Sequence, residues 1–138
     1  MPAKDIYHDT VRRALEKDGW TITDDPLRLV YGSKDAYIDL GAEKIFAAEK
    51  DSRKIAVEIK SFIGKSPVAD LEKAIGQFVL YTQVLAETEP ERVLYLAVDE
   101  TVFQDIFQES FGRLLLKNKS LRLVIFDEVS ERILRWIE

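Results

Sequence analysis

The stretch KIAVEIKSF, residues 54–62, decides the fold of this chain, because it reads as a short strand with two charges in it. Side chains alternate between the two faces of a strand. One face carries the apolar residues Ile55, Val57 and Ile59. The other face carries Glu58 and Lys60 after Ala56. Two interpretations of this pair are open: a salt bridge on a solvated edge, or a carboxylate and an amine that act together chemically.

The chain before this strand predicts one helix and three strands. Residues 4–20 have an apolar helical face of Ile6, Val11, Ala14 and Leu15, and Gly19 ends that helix. PLRLVYG (26–32) and AYIDL (36–40) read as strands around a turn at residues 32–35. EKIFAAEK (43–50) and the connector 51–53 then predict a β-hairpin with KIAVEIKSF.

The chain after the strand alternates helices and strands. Ser66 and Pro67 are a helix cap and first helical residue, and the helix is expected to end near Ala86. Its predicted apolar face consists of Val68, Leu71, Ile75, Phe78 and Leu85. RVLYLAV (92–98) predicts a buried strand parallel to KIAVEIKSF. Residues 101–117 predict one amphipathic helix with Val102, Ile106, Phe107 and Leu114 in the core. LRLVIF (121–126) and RILRWI (132–137) predict the last strands.

These elements predict an α/β (α+β) fold in which helices flank a mixed central sheet, formed by one domain over residues 1–138. Apolar residues make up 46% of the 138 residues and charged residues 33%. There is no cysteine and His8 is the only histidine, which argues against disulfides, thiolate metal sites and His-rich zinc sites. Residues 1–10 lack a secretory h-region, and no apolar run is long enough for a bilayer, so we expect a cytoplasmic protein without a membrane span.

Asp39 adds a third charged residue that an apolar strand does not favour. If its strand lies beside KIAVEIKSF, Asp39, Glu58 and the backbone carbonyl of Ile59 offer oxygen ligands for Mg²⁺. Lys60 would then orient the attacking water and offset phosphate charge. The alternative is an ordinary ion pair between Glu58 and Lys60, with Asp39 at a strand end.

The following helix brings two further polar residues onto one face, because Gln77 and Tyr81 are four residues apart. Both would brace Lys60 or touch a phosphate; alternatively Tyr81 is a core aromatic and Gln77 a surface residue. The net charge of −5 means that any nucleic-acid contact is local or assisted by a partner. Lys65 and Lys73 are the candidate DNA-binding residues, although lysines near a helix start also suit a solvated face.

Asp39, the E-x-K of Glu58 and Lys60, and the Q-x-x-x-Y of Gln77 and Tyr81 together resemble the PD-(D/E)xK nuclease superfamily, in its RecB-like branch. The resemblance implies an αβββαβ core with a restriction-endonuclease-like sheet. It also implies a Mg²⁺ or Mn²⁺ site and hydrolysis of DNA phosphodiesters. Related nucleases add an acidic residue from the first helix, a place that His8 or Asp9 would take here.

Four segments resemble the XisH family, the controlling factors for excision of the fdxN DNA element: residues 1–27, VEIKSF (57–62), GQFVLY (76–81) and SERILRWIE (130–138). The resemblance implies site-specific DNA excision with a separate recombinase and a small partner protein of the XisI type. Three hypotheses follow for the chain: a metal-dependent DNA endonuclease or nicking protein, a catalytically inactive DNA- or partner-binding regulator of the recombinase, or an interaction subunit. The interaction subunit would bind its partner through Trp136 and Leu114–Leu116, or would dimerise through an edge strand.

Overall fold

The computed structural model describes residues 4–46 and 51–138, so the second half of the predicted strand 43–50 lies outside the described residues. The prediction of a connector at residues 51–53 is wrong, because these residues pair with residues 44–46 as the start of the following strand. The first half of the chain forms, in order, α1 (His8–Lys17), β1 (Thr21–Asp24), β2 (Leu27–Tyr31), β3 (Lys34–Ile38), β4 (Leu40–Phe46) and β5 (Asp51–Ile59). The second half forms α2 (Pro67–Thr88), β6 (Arg92–Asp99), α3 (Glu100–Val102), a π-helical turn (Phe103–Phe107), α4 (Ser110–Lys117), β7 (Leu123–Asp127) and β8 (Arg132–Ile137).

Within the described residues, six strands form one mixed sheet in the order β1-β4-β5-β6-β7-β8. The strands β5, β6 and β7 run parallel, as predicted for the step from β5 through α2 to β6, and the other pairs are antiparallel. Strands β2 and β3 form a separate two-stranded sheet. The mixed sheet flanked by helices is therefore confirmed, and its first elements follow the order α1-β1-β4-β5-α2-β6 with the β2–β3 hairpin inserted.

The alternation along β5 assigns one helix to each face of the sheet. Ile55, Val57 and Ile59 lie in a cluster with Val11 and Leu15 of α1. Ala56 lies in the other cluster, with Leu71 and Phe78 of α2. Because β5 is buried from both sides, a polar residue on it must find a partner inside the protein.

Helix α1 begins at His8, two residues after the predicted apolar position Ile6. Val11, Ala14 and Leu15 are buried as predicted, but Ile6 is 62% exposed, so its assignment to the core is wrong. The reason is that Ile6 precedes the helix and is not carried on its inner face. Gly19 follows the helix with φ +94°, a backbone conformation that glycine adopts without a Cβ clash.

Helix α2 starts as predicted and runs two residues past the expected end. The Ser66 hydroxyl oxygen accepts the Ala69 N–H at 3.2 Å, and Pro67 is the first helical residue. Leu71, Phe78 and Leu85 are buried and Ile75 packs against the same cluster. Val68 is 45% exposed, against prediction, because the first turn lines a surface groove with Phe111.

The prediction of one helix over residues 101–117 is wrong, since the segment is divided into α3, the π-helical turn and α4. The start of α4 packs directly on the π-helical turn: a Cβ on Gly112 would lie 2.2 Å from the Ile106 carbonyl oxygen. That contact requires the chain to bend back before α4. Phe107 is buried and Val102 and Ile106 pack on the core, but Leu114 is 54% exposed because α4 turns Leu115 and Leu116 inward instead.

Strand β1 was not predicted, and it forms one edge of the sheet while β8 forms the other. On β8, Trp136 packs against Tyr95 and Trp20, with ring centroids 4.8 and 5.7 Å away. Trp136 therefore contributes to the core cluster beneath α1. None of the helices in the described ranges is long and apolar enough to cross a membrane.

Candidate active site

Glu58 lies near the carboxyl end of the central strand β5, on the face toward α2. Its side chain is buried, and Lys60 follows directly after the strand, where its N–H donates to the Ala97 carbonyl of β6 at 3.1 Å. Nζ of Lys60 is 3.6 Å from Oε2 of Glu58. Because β5 lies between β4 and β6, the interpretation of this pair as a solvated edge salt bridge is wrong.

Asp39 lies at a bend between β3 and β4, and not inside a strand as predicted. The chain leaves the two-stranded sheet and enters the six-stranded sheet at this point. Oδ2 of Asp39 accepts the Ile59 N–H at 2.7 Å, and the Asp39 N–H donates to Oε1 of Glu58 at 3.2 Å. The bend thus places both carboxyl groups together at the end of β5.

The two carboxyl groups perturb each other. Burial and, after it, repulsion by Asp39 raise the pKa of Glu58 to about 8, while Lys60 acts in the opposite direction. Burial also raises the pKa of Asp39, and the hydrogen bond from Ile59 opposes that increase. Without a cation, the pair favours holding a proton at neutral pH, whereas a nearby positive charge favours the doubly ionised form.

Helix α2 lines the same cleft, which has a volume of about 390 Å³, through Lys73, Gln77 and Tyr81. Burial, followed by the charges of Glu58 and Asp39, raises the pKa of Tyr81, so its phenol remains a hydrogen-bond donor. Oε1 of Gln77 is buried and has no hydrogen-bond partner among the described residues. Tyr81 is thus both a buried aromatic and a cleft residue, and Gln77 lines the cleft while its amide oxygen is buried.

Neither first-helix candidate is among the residues that line the cleft, although His8 interacts electrostatically with Asp39. Asp9 has a 67% exposed side chain whose nearest cation is Lys4, at 3.9 Å. His8 was expected to be partly exposed if it had no ligand role, but it is buried, with Nε2 2.7 Å from Oδ1 of Asp25. Arg12 also contacts Asp25, at 2.5 Å. His8 contributes to a structural cluster between α1 and the β1–β2 connection.

The two lysines predicted to bind DNA differ in position. Lys73 lines the cleft and also a second hollow of about 130 Å³, while Lys65 is not among the described residues that line either one. Three further cleft residues were not predicted: Lys4 and Asp5, from the segment before α1, and Tyr37 of β3. Tyr37 carried one signal, because it shares its side of the chain with Asp39 two residues later. Lys4 and Asp5 carried no such signal in the sequence.

The oxygen ligands in the cleft can be compared with those that a metal ion requires. In residues 4–46 and 51–138, no three His, Asp or Glu side chains converge as a ready metal cage. Asp39 and Glu58 still supply two carboxylates, and Ile59 lines the cleft beside them. Mg²⁺ commonly binds one or two carboxylates together with waters and substrate phosphate, and Mn²⁺ has similar ligand preferences. Two repelling carboxylates with raised pKa values fit such a cation.

Comparisons with known proteins agree over nearly the whole chain. The family model described as XisH protein matches residues 1–134. A solved XisH family protein from Nostoc punctiforme is 39% identical, with a TM-score of 0.87 over 97% of this chain and 100% of that chain. A solved fdxN element excision controlling factor protein from Anabaena variabilis is 38% identical, with a TM-score of 0.87 over 98% of this chain and 100% of that chain. No match is found among curated proteins.

Proposed function

The chain belongs to the XisH family, and from this premise we propose that it is a controlling factor for site-specific excision of a DNA element. We further propose that it acts as a divalent-metal-dependent DNA endonuclease or nicking protein of the PD-(D/E)xK type. The observation that carries the catalytic part is the joint placement of Asp39, Glu58 and Lys60 in one cleft.

Each residue of the cleft has a defined task in this proposal. Asp39, Glu58 and the Ile59 carbonyl would hold Mg²⁺ or Mn²⁺, which when bound would supply positive charge for the phosphate and lower the pKa of water. Lys60, with Nζ 3.6 Å from Oε2 of Glu58, is placed to orient the attacking water and to offset phosphate charge. Gln77 and Tyr81 donate hydrogen bonds to the phosphate or hold Lys60 in place.

A second function rests on a different observation. Among the described residues, no three His, Asp or Glu side chains converge on one metal position, although Asp5 lines the cleft with Asp39 and Glu58. A regulatory subunit that binds DNA or a partner without cutting needs no more than this cleft. In both functions the proposed partners are DNA, a recombinase, a small protein of the XisI type, and a second copy of the chain paired along a β1 or β8 edge.

The deciding experiment incubates the full chain with supercoiled plasmid and with single-stranded DNA, in Mg²⁺ or Mn²⁺, with and without the XisI-type protein. We expect nicked plasmid with the unmodified chain and none with Asp39→Asn or Glu58→Gln. Asp35→Asn is the matched control, since Asp35 is an exposed acid of the same hairpin paired with Arg28. Nicking that persists in both site variants would refute the catalytic proposal, and DNA binding without any nicking would favour the regulatory one.

A metal titration gives a readout that does not depend on turnover. A ligand that binds only the folded state stabilises it by about 2.7 kcal/mol when present at about 100 times its dissociation constant. Mn²⁺ is therefore expected to raise the thermal midpoint of the unmodified chain and of Asp35→Asn. It is expected to leave that of Asp39→Asn unchanged.

A further inference from the structure

The β2–β3 hairpin stands apart from the main sheet and leads directly into Asp39. Its inner residues Leu27, Leu29 and Ile38 are buried in the cluster that contains α2. By strand alternation, its outer face carries Arg28, Val30, Asp35 and Tyr37. The hairpin is thus anchored on one side and leaves the other side for a ligand.

Tyr37 is a half-buried residue of this outer face that reaches the cleft. It pairs across the hairpin with Arg28. The Asp35 carboxylate holds Arg28 in place, since its Oδ2 accepts from Nε at 3.2 Å and from Nη2 at 3.1 Å. Tyr37 therefore gives the cleft wall next to Asp39 an aromatic ring, whereas Arg28 is not among the described residues that line the cleft. Aromatic rings stack on nucleic-acid bases.

Three lysines line the same cleft, although the chain has a net charge of −5. They come from separate parts of the chain: Lys4, Lys60 and Lys73. The second hollow continues from the cleft, because Lys60, Lys73 and Asp5 line both, and it extends past Phe62, Gly64 and Asp70. Cationic side chains along a continuous groove are the arrangement that follows a nucleic-acid backbone.

We infer that the cleft holds an unpaired nucleotide, with its base stacked on Tyr37 and its backbone phosphates running along Lys60 and Lys73. The base must be unpaired because both of its faces are covered inside a duplex, and only a single-stranded or extruded base offers a face to an aromatic ring. That the ligand is DNA rests on the proposed function. The new elements are that the DNA is unpaired and that Tyr37 selects this form.

The test measures equilibrium binding of a labelled single-stranded DNA of about 12 nucleotides, and of the same sequence as a duplex, at one fixed salt concentration. A chelator is present, so binding is read without cleavage. The variants are Tyr37→Ala, which removes the ring, and Tyr37→Phe, which keeps it. Tyr31→Ala is the matched control, because Tyr31 is an exposed tyrosine of the same hairpin that lines a different groove. Thermal midpoints of all variants are measured to exclude unfolding.

We expect the single strand to bind more tightly than the duplex. Tyr37→Ala is expected to weaken single-strand binding by about 5- to 150-fold, the effect of losing one base–aromatic stack. Tyr37→Phe and Tyr31→Ala are expected to stay within about twofold of the unmodified chain, since neither loses that stack.

Three results would overturn the inference: unchanged binding by Tyr37→Ala, equal weakening by Tyr37→Phe, or duplex binding as tight as single-strand binding. The nicking assay with Asp39→Asn separates the two proposals. Loss of nicking in Asp39→Asn together with tight binding by Tyr37→Ala would refute only the inference, while persistent nicking in Asp39→Asn would refute the proposed catalysis.

Discussion

The N–H of Asp39 donates to Oε1 of Glu58 at 3.2 Å, although Asp39 lies at the bend before β4, Glu58 lies on β5 and the two are 19 positions apart. Oδ2 of Asp39 in turn accepts the N–H of Ile59, next to Glu58, at 2.7 Å. Main-chain groups therefore hold both acids at the end of β5. This arrangement keeps two carboxyl groups close in a buried place, where their repulsion costs stability unless a proton or a cation is present.

Glu58→Gln is expected to stabilise the metal-free protein above neutral pH. Burial and Asp39 raise the pKa of Glu58 to about 8 in the folded state, against about 4.3 in an unfolded chain. The folded state then binds the extra proton between these values, so the unmodified chain loses stability as pH rises from about 4.3 to 8. Glutamine removes that loss.

The measurement is urea unfolding in a chelator across this pH range. We expect the two stability curves to converge at acidic pH and to separate as pH rises. Parallel curves would show that Glu58 is ionised at its ordinary pKa in the fold.

Asp25→Asn is expected to lower the free energy of unfolding at neutral pH and to reduce the further decrease of that free energy at acidic pH. Burial alone would raise the pKa of Asp25, but hydrogen bonds from Arg12 and His8 outweigh it, and the pKa is lowered. The stabilisation is therefore complete above the unfolded pKa of about 3.9 and is lost as pH falls through the lower folded value. Urea unfolding from about pH 2 to pH 6 measures this dependence of the free energy of unfolding on pH.

Asp9→Asn is the control for this series, since its side chain is 67% exposed and its ion pair with Lys4 spans 3.9 Å. Exposed pairs of this kind contribute about 0–1 kcal/mol, so its curve should follow that of the unmodified chain. If the free energy of unfolding of Asp25→Asn falls at acidic pH as much as that of Asp9→Asn, the His8–Asp25–Arg12 cluster does not stabilise the fold.

Gly112→Ala and Gly76→Ala are expected to have opposite effects on stability, although both lie in helices. At Gly112 the new Cβ would lie 2.2 Å from the Ile106 carbonyl oxygen, so backbone must move, at a cost of about 1–3 kcal/mol. At Gly76 no atom lies within 4 Å of the new Cβ, and alanine should stabilise α2 by roughly 0.5–1 kcal/mol. Thermal unfolding of both variants is the measurement, and a neutral Gly112→Ala would refute the close packing of α4 on the π-helical turn.

Lys73→Ala is expected to weaken nucleic-acid binding and to reduce its salt dependence. In a plot of the logarithm of the binding constant against the logarithm of the salt concentration, each phosphate contact steepens the slope by about 0.7 for single strands and about 0.9 for duplex. Lys73 lines both hollows, so its removal should lower the slope by about that amount. Lys65→Ala is the matched comparison from the preceding loop, and an equal effect of the two would argue for a diffuse basic surface.

Much of the fold was predictable because its signals are local. The alternation in β5, the Ser66 cap with Pro67, and the apolar run of β6 each depend on residues next to one another. The errors arose where a contact or a boundary outside the regular helix or strand pattern decided the outcome. The break before α4 depends on Gly112 meeting the Ile106 carbonyl, and the exposure of Leu114 follows from that break.

The sequence by itself determined that Glu58 lies on one face of a buried strand and that Lys60 follows two positions later on the same side, because alternation along a strand is a property of the backbone. Only the tertiary structure decided what they meet there. Asp39, Lys73 and Tyr37 line one cleft with Glu58 because of the bend after β3, the packing of α2 and the placement of the hairpin, and these depend on contacts between parts of the chain that no local pattern relates.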